Sequence, residues 1–383
     1  MDLAACRPSL AGRNQRVRRD HLRATGESSA RMPSFPHLRS SSRSSSVSQP
    51  LLRVCGGIGF RFDLAPGLLS HAIDAAETKD GSSRAHRESV TNPVVLFVHG
   101  GPGTSWLTLM RKNTQPLEKY FTVVNWDQRR AGKSFAAGGV EDMTMGAFVD
   151  DLIALSSDLA RRFHKNKILL VGHSWGSVIG VIAASRRPDL FSAYIGIGQM
   201  SRMAESELIS YKWTLEQAER ANDQASVKKL TDIGPPPYTG NNWRSKFLTE
   251  RRILGKHGGE YYGSKSGAFG VVLRNLVFSR EYTMFDRINF FRGVLRSVKA
   301  LYPELSRIDL FVQVPEVKIP VFFCLGRHDY EVPSVLSAKY FEALKAPRKQ
   351  LVWFERSAHL PNTEEKDKFN EFMIKTVLPT LPE

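Results

Sequence analysis

The chain has 383 residues, 42% hydrophobic and 24% charged, the balance of an ordinary globular protein. Its net charge of +16 does not concentrate into a patch: nine arginines and three acids in residues 1–50 give +6, and the rest is spread along the remaining chain. No basic helix is interleaved with stacking aromatics, which argues against nucleic acid; the longest apolar stretch, 168–184, is broken by His173, Ser174, Ser177 and three glycines, which argues against a membrane span.

Residues 1–50 are rich in Arg and Ser, with the run Ser40-Ser41-Ser42-Arg43-Ser44-Ser45-Ser46, and show neither helical nor strand period. A disordered extension is expected there. The same composition fits an organelle transit peptide, but no apolar region follows to make a secretory signal. Cytoplasm is the default compartment. Cys6, Cys55 and Cys324 form no Cys-x-x-Cys pair, so neither a disulfide framework nor a zinc site is expected. Cys324 falls inside an apolar run and reads as a core thiol.

Residues 51–92 show no alternation. From Val94 the pattern is legible. Residues 94–98 and 121–126 are continuous apolar runs, as in strands buried on both faces. Met145, Phe148, Leu152, Leu155 and Leu159 space one buried face of a helix over 144–162. A strand at 167–171, a helix after Ser174 and a strand at 193–197 follow. Alternation then stops: 201–315 reads as helices with polar loops, broken at Gly234-Pro235-Pro236-Pro237. It resumes with a strand at 319–325, a helix near 335–344, a strand at 350–354 and a helix around 364–377. The expected fold is α/β: a mostly parallel sheet covered by helices on both faces. Its core would span 51–200 and 316–383, with 201–315 as a helical cap over the strand C-termini, where such sheets bind ligands.

Gly172-His173-Ser174-Trp175-Gly176 matches Gly-x-Ser-x-Gly between a strand and a helix, a sharp bend that raises a serine hydroxyl above the sheet. A serine nucleophile needs a base, and the base needs a carboxylate to fix its tautomer. His257 lies in the helical insertion, and His328 directly precedes Asp329. His359 follows the strand at 350–354 and stands where the base should be. Asp329, in Gly326-Arg327-His328-Asp329, is the candidate acid, with Glu331 as fallback. An oxyanion needs backbone N–H donors. Trp175 offers one, and the glycine-rich loop His99-Gly100-Gly101-Pro102-Gly103 is placed to offer another.

Gly132-Lys133-Ser134 resembles the end of a phosphate-binding loop, but the first glycine that motif requires falls on Asp127, so a turn is expected. His99 and His173 lack a matching ligand set for a metal and read as loop-shaping residues. No cofactor is expected.

Together, His99-Gly100-Gly101-Pro102-Gly103, Asp127-Gln128-Arg129, Gly172-His173-Ser174-Trp175-Gly176, Gly326-Arg327-His328-Asp329 and Ser357-Ala358-His359 resemble the proline iminopeptidase family of α/β-hydrolases, over about residues 93 to 380. The resemblance implies Ser174 as nucleophile, Asp329 as orienting acid, His359 as base, and Gly101 and Trp175 as oxyanion donors. It also implies release of an N-terminal residue, often proline, from short peptides, with cap carboxylates on the substrate's free amino group. Glu205 and Glu207 are the leading candidates, with Glu216 and Glu219 nearby. The chain departs from the family at Arg130, where glycine is usual and a Cβ would strain the turn. The alternative is a carboxylesterase or amide hydrolase with the same triad; a catalytically silent binding protein on this fold is the reading from another class.

Overall fold

The computed structural model describes residues 72–76, 92–136, 143–263, 267–279 and 281–382. The Arg/Ser-rich extension at 1–50, Cys6, Cys55 and most of 51–92 lie outside the described residues. In chain order the first half comprises β1 (Ala72–Ala76), β2 (Val94–Val98), α1 (Leu107–Thr114), β3 (Thr122–Asp127), α2 (Met145–Arg162), β4 (Ile168–His173), α3 (Trp175–Arg186) and β5 (Phe191–Ile197). Among the described residues, six α-helices follow without a strand: α4 (Met203–Arg220), α5 (Gln224–Ile233), α6 (Trp243–Lys256), α7 (Gly267–Val277), α8 (Met284–Leu305) and α9 (Leu310–Gln313). The chain then returns through β6 (Val321–Gly326), α10 (Ser334–Ala343), β7 (Lys349–Phe354), α11 (Pro361–Glu364) and α12 (Lys366–Phe372).

The seven strands among the described residues form one sheet in the order β1-β3-β2-β4-β5-β6-β7. Six pair in parallel; β1 joins the edge antiparallel, Ala72 opposite Asp127. The stretch with no legible alternation thus holds a strand. Ala72-Ile73-Asp74-Ala75-Ala76 has too little apolar contrast to announce one, and its pairing with β3 decides it.

The parallel strands read as unbroken apolar runs because both faces are covered. Val94, Leu96 and Val98 point into one core cluster and Val95 and Phe97 into the other. Helix α2 buries Phe148, Leu152, Leu155 and Leu159, and Thr144 caps it by accepting from the Ala147 N–H at 3.2 Å. Cys324 is a buried free thiol, as expected, and burial pushes it up. Gly132-Lys133-Ser134 is a single helical turn whose Lys133 N–H donates to Asp127 Oδ2 at 3.0 Å.

The helical stretch has a small core of its own around Tyr211, Ala218, Leu230 and Ile253. It also meets the loops that leave the strand C-termini. Gly259 carbonyl accepts from Tyr330 N–H (2.9 Å) and Glu331 N–H (3.2 Å), and Glu260 carbonyl accepts from His359 N–H (3.2 Å). Tyr282 hydroxyl donates to Asp127 Oδ1 at 2.8 Å. Among the described residues, no helix is long and apolar enough to cross a membrane.

Candidate active site

Strand β4 ends at His173 and α3 begins at Trp175, leaving Ser174 alone at the bend with φ +52° and ψ −122°. Such a conformation costs energy in a residue with a Cβ and is held by its surroundings. Both flanking glycines are required by close approach: a Cβ on Gly176 would lie 2.2 Å from the Val98 carbonyl oxygen, and one on Gly172 would lie 2.5 Å from that of Gly176. The main-chain N–H of Trp175 belongs to the first turn of α3, where a helix leaves its donors unpaired. The loop after β2 lies against the serine, since a Cβ on Gly100 would be 3.0 Å from Ser174 Cβ.

Asp329 follows β6 and His359 follows β7, and the two meet: His359 Nδ1 lies 2.8 Å from Asp329 Oδ2. The other Asp329 oxygen accepts from Val332 N–H at 2.8 Å. Ser174 and His359 share neighbours. Ser174 N–H donates to the Ile197 carbonyl at 3.0 Å, and a Cβ on the next residue, Gly198, would sit 3.0 Å from His359 Nδ1. His173 Nε2 bonds the His359 carbonyl at 2.8 Å, with the two rings 4.7 Å apart. Glu364 brackets the histidine by accepting from the N–H groups of Ala358 (3.0 Å) and Leu360 (2.9 Å).

His359 Nε2 is buried and has no hydrogen-bond partner among the described residues, leaving its lone pair or proton free for another group. Burial works to lower the His359 pKa, but the carboxylates of Asp329, Glu331 and Glu260 outweigh it and hold the imidazole up at about 9. Two other buried histidines among the described residues shift the opposite way. Burial lowers His99 to about 4 and puts His173 well below the usual range, so both rings are neutral and act as hydrogen-bonding spacers. His257 pairs with Asp223 at 3.3 Å, and His328 stacks on Tyr262 with ring centres 4.4 Å apart.

The helical stretch and the loop after β6 together assemble an acidic cluster that reaches His359 through Glu331. Glu207 on α4 accepts from Arg251 Nη2, and Glu250 accepts from Arg251 Nη1 at 3.1 Å and from Ser210 hydroxyl at 3.1 Å. Glu260 accepts from Ala268 N–H at 2.9 Å, and Glu331 lies 3.9 Å from His359 Nε2. Only Glu207 and Glu250 bond the Arg251 guanidinium, whose charge also acts on Glu260 and Glu331. Burial, reinforced by Glu250 and Glu331, raises Glu207 to about 7; burial and Glu331 raise Glu260 to about 8. The free oxygen of Glu207 is buried without a hydrogen-bond partner. Such a group is relieved by a cation. Tyr330 stacks on Trp213 beside these acids, with ring centres 4.2 Å apart.

Among the acids named from sequence as amine-binding candidates, only Glu207 reaches this cluster; Glu331, named there as a fallback for the catalytic acid, joins it. Glu205 pairs with Arg202 at 3.1 Å, half-exposed; Glu216 pairs with Arg220 at the surface, and Glu219 is exposed. Glu250 and Glu260 were not legible in the sequence. Glu250 sits next to Arg251 as in any solvated helix, and only the packing of α6 on α4 buries the pair. No set of three or more His, Cys, Asp or Glu side chains among the described residues is arranged to hold a metal.

A family model for the alpha/beta hydrolase fold matches residues 93–365. The "Probable aminopeptidase YbaC" of Bacillus subtilis is 36% identical over 285 residues, 73% of this chain and 87% of its own. A proline iminopeptidase of Heyndrickxia coagulans is 22% identical, covering 72% of this chain and 87% of that protein. Among solved structures, a proline iminopeptidase-related protein of Thermus thermophilus aligns with a TM-score of 0.55 at 16% identity, over 83% of this chain and 98% of that one. At that identity the structural likeness speaks for the fold alone.

Proposed function

We propose, from the premise that this chain belongs to the alpha/beta hydrolase fold family, that it is a serine aminopeptidase releasing the N-terminal residue, proline-type, from short peptides. The observation that carries the substrate class is the buried cluster of Glu207, Glu250, Glu260 and Glu331, in which Glu331 lies 3.9 Å from His359 Nε2 and Glu207 keeps a buried oxygen without a hydrogen-bond partner. When His359 is neutral, as a base must be, a substrate's α-ammonium supplies positive charge there beside Arg251, adding charge-assisted hydrogen bonds to a site where burial makes them strong. Similarity to the "Probable aminopeptidase YbaC" supports the same class.

In this reading the Ser174 hydroxyl attacks the carbonyl carbon of the first residue, and His359 Nε2 takes its proton. Asp329 holds Nδ1 and stabilises the imidazolium that forms. The main-chain N–H groups of Gly101 and Trp175 receive the developing oxyanion. His359 then protonates the leaving amine as the C–N bond breaks, leaving an ester on Ser174. Water, deprotonated by His359, hydrolyses that ester and restores the serine. Glu207 and Glu331 hold the ammonium, which fixes the scissile bond one residue from the N-terminus.

The test compares prolyl-, alanyl- and N-blocked prolyl-arylamides with a short-chain aryl ester, with Ser174→Ala as control. Turnover of free-amine arylamides, lost on N-blocking, is expected. Ester turnover without arylamide turnover would move the protein to the esterases.

A further inference from the structure

Gln128 follows β3 directly and is completely buried. Its amide is engaged at both ends, across two different loops. Nε2 donates to the His99 carbonyl at 2.8 Å, and Oε1 accepts from the Trp175 indole N–H at 2.9 Å. An indole N–H only donates and a carbonyl only accepts, so the orientation of the amide is set by its partners. A third bond runs from the Gln128 main-chain N–H to His99 Nε2 at 3.3 Å. His99 Nδ1 lies 2.7 Å from the Gly100 carbonyl, so a neutral ring protonated on Nδ1 satisfies both contacts. Burial keeps that ring neutral.

The two joined segments are the ones that carry the oxyanion donors in the proposed mechanism. Gly101 stands two residues after His99. The second donor is the main-chain N–H of Trp175, the residue whose indole Gln128 holds. The segments also touch directly: a Cβ on Gly176 would lie 2.6 Å from the His99 carbonyl oxygen. Oxyanion donors work only if their spacing is held to within about half an ångström. Two loops from separate strand ends do not keep such a spacing unaided.

We infer that Gln128 is a positioning residue, its side chain clamping the His99 loop to Trp175 and thereby setting the distance between the two oxyanion donors. The inference rests on the serine aminopeptidase reading. The hydrogen bonds of Gln128 go to His99 and Trp175, not to Ser174, and it acts through the donors it holds. Neither end can be spared: Met has similar length without either polar group, and an ionised Glu accepts from the indole but cannot donate to the carbonyl.

The experiment uses the full chain with Q128M, Q128E, W175F, the Q128M/W175F pair, and Ser174→Ala as control, assayed on prolyl-arylamide. Active sites are counted with a fluorophosphonate. Q128M is expected to lower kcat per active site about 10- to 100-fold with KM within twofold. It should weaken a prolyl aldehyde, which adds to the serine as an oxyanion, by the same factor, while inhibition by free proline stays unchanged. Q128M and W175F should be non-additive, since they break one clamp. Q128E supplies a readout that a scaffold role would not move. As pH falls its carboxyl gains the proton it can donate to His99, so its rate relative to the unsubstituted protein rises. Unchanged kcat per site, unchanged aldehyde affinity and a pH-independent Q128E ratio would overturn the clamp. If Q128M fails to fold, Q128E and W175F carry the same test. Full activity in Ser174→Ala overturns the aminopeptidase reading itself; an inactive Ser174→Ala beside a fully active Q128M overturns the clamp alone.

Discussion

Glu331 places a carboxylate oxygen 3.9 Å from Nε2 of His359, the edge of the ring opposite the one that Asp329 holds at 2.8 Å. The imidazole is therefore flanked by negative charge at both nitrogens, and its pKa rises to about 9. In the proposed mechanism His359 is the general base and must be neutral, so kcat/KM should climb with pH until His359 loses its proton. Glu331→Gln removes one of the charges that favour the imidazolium. Its acid limb should move to lower pH, and this is best read on an N-blocked ester, where no ammonium needs Glu331. A limb that stays put, or moves to higher pH, would show that Glu331 does not act on His359.

Ser174→Ala should leave folding intact and reduce hydrolysis by about 10³-fold or more, and Asp329→Asn should cost about 10⁴-fold in kcat through the wrong imidazole tautomer. Thermal melts beside the rate measurements separate chemistry from stability. An Asp329→Asn protein within tenfold of full activity would remove Asp329 from the role of orienting acid.

Glu207→Gln keeps the shape of the side chain and discards its charge. For free-amine arylamides kcat/KM should fall about 10- to 100-fold, the worth of a charge-assisted hydrogen bond. Hydrolysis of a short-chain ester should change by less than threefold. Equal losses on both substrates would mean that Glu207 supports the fold through Arg251 and does not bind the amine.

Arg130 stands at φ +61°, in the left-handed region where the resembling family usually carries glycine. Its Cβ costs about 1 kcal/mol in that conformation. The Nη1 bond to the Phe135 carbonyl at 3.1 Å returns part of it. Arg130→Gly should raise the melting temperature by a degree or more with unchanged kcat. A lower melting temperature would show that the side-chain contacts outweigh the strain.

The strand and helix positions were readable because their signals are local. Buried parallel strands must be apolar on both faces, and 94–98 is so in the sequence and in the sheet. The helix expected over 144–162 forms at Met145–Arg162 with Thr144 as its cap, because cap and apolar spacing both lie within it. The edge strand at Ala72–Ala76 carries no such signal. Its place depends on hydrogen bonds offered by β3, about fifty residues later.

By itself the sequence determined the bend at Ser174, since Gly172 and Gly176 leave the chain few other ways to run, and it determined the order Ser174, Asp329, His359 along the strand ends. Only the tertiary structure decided which acids share a site. Glu205 and Glu207 are two residues apart on α4, and one faces Arg202 at the surface while the other is buried on Arg251. It also decided that Gln128 lies between His99 and Trp175. The physical reason is the same in both cases. Backbone strain and apolar periodicity are written over a few neighbouring residues, whereas a buried charge or amide takes its meaning from partners that only folding brings within 3 Å.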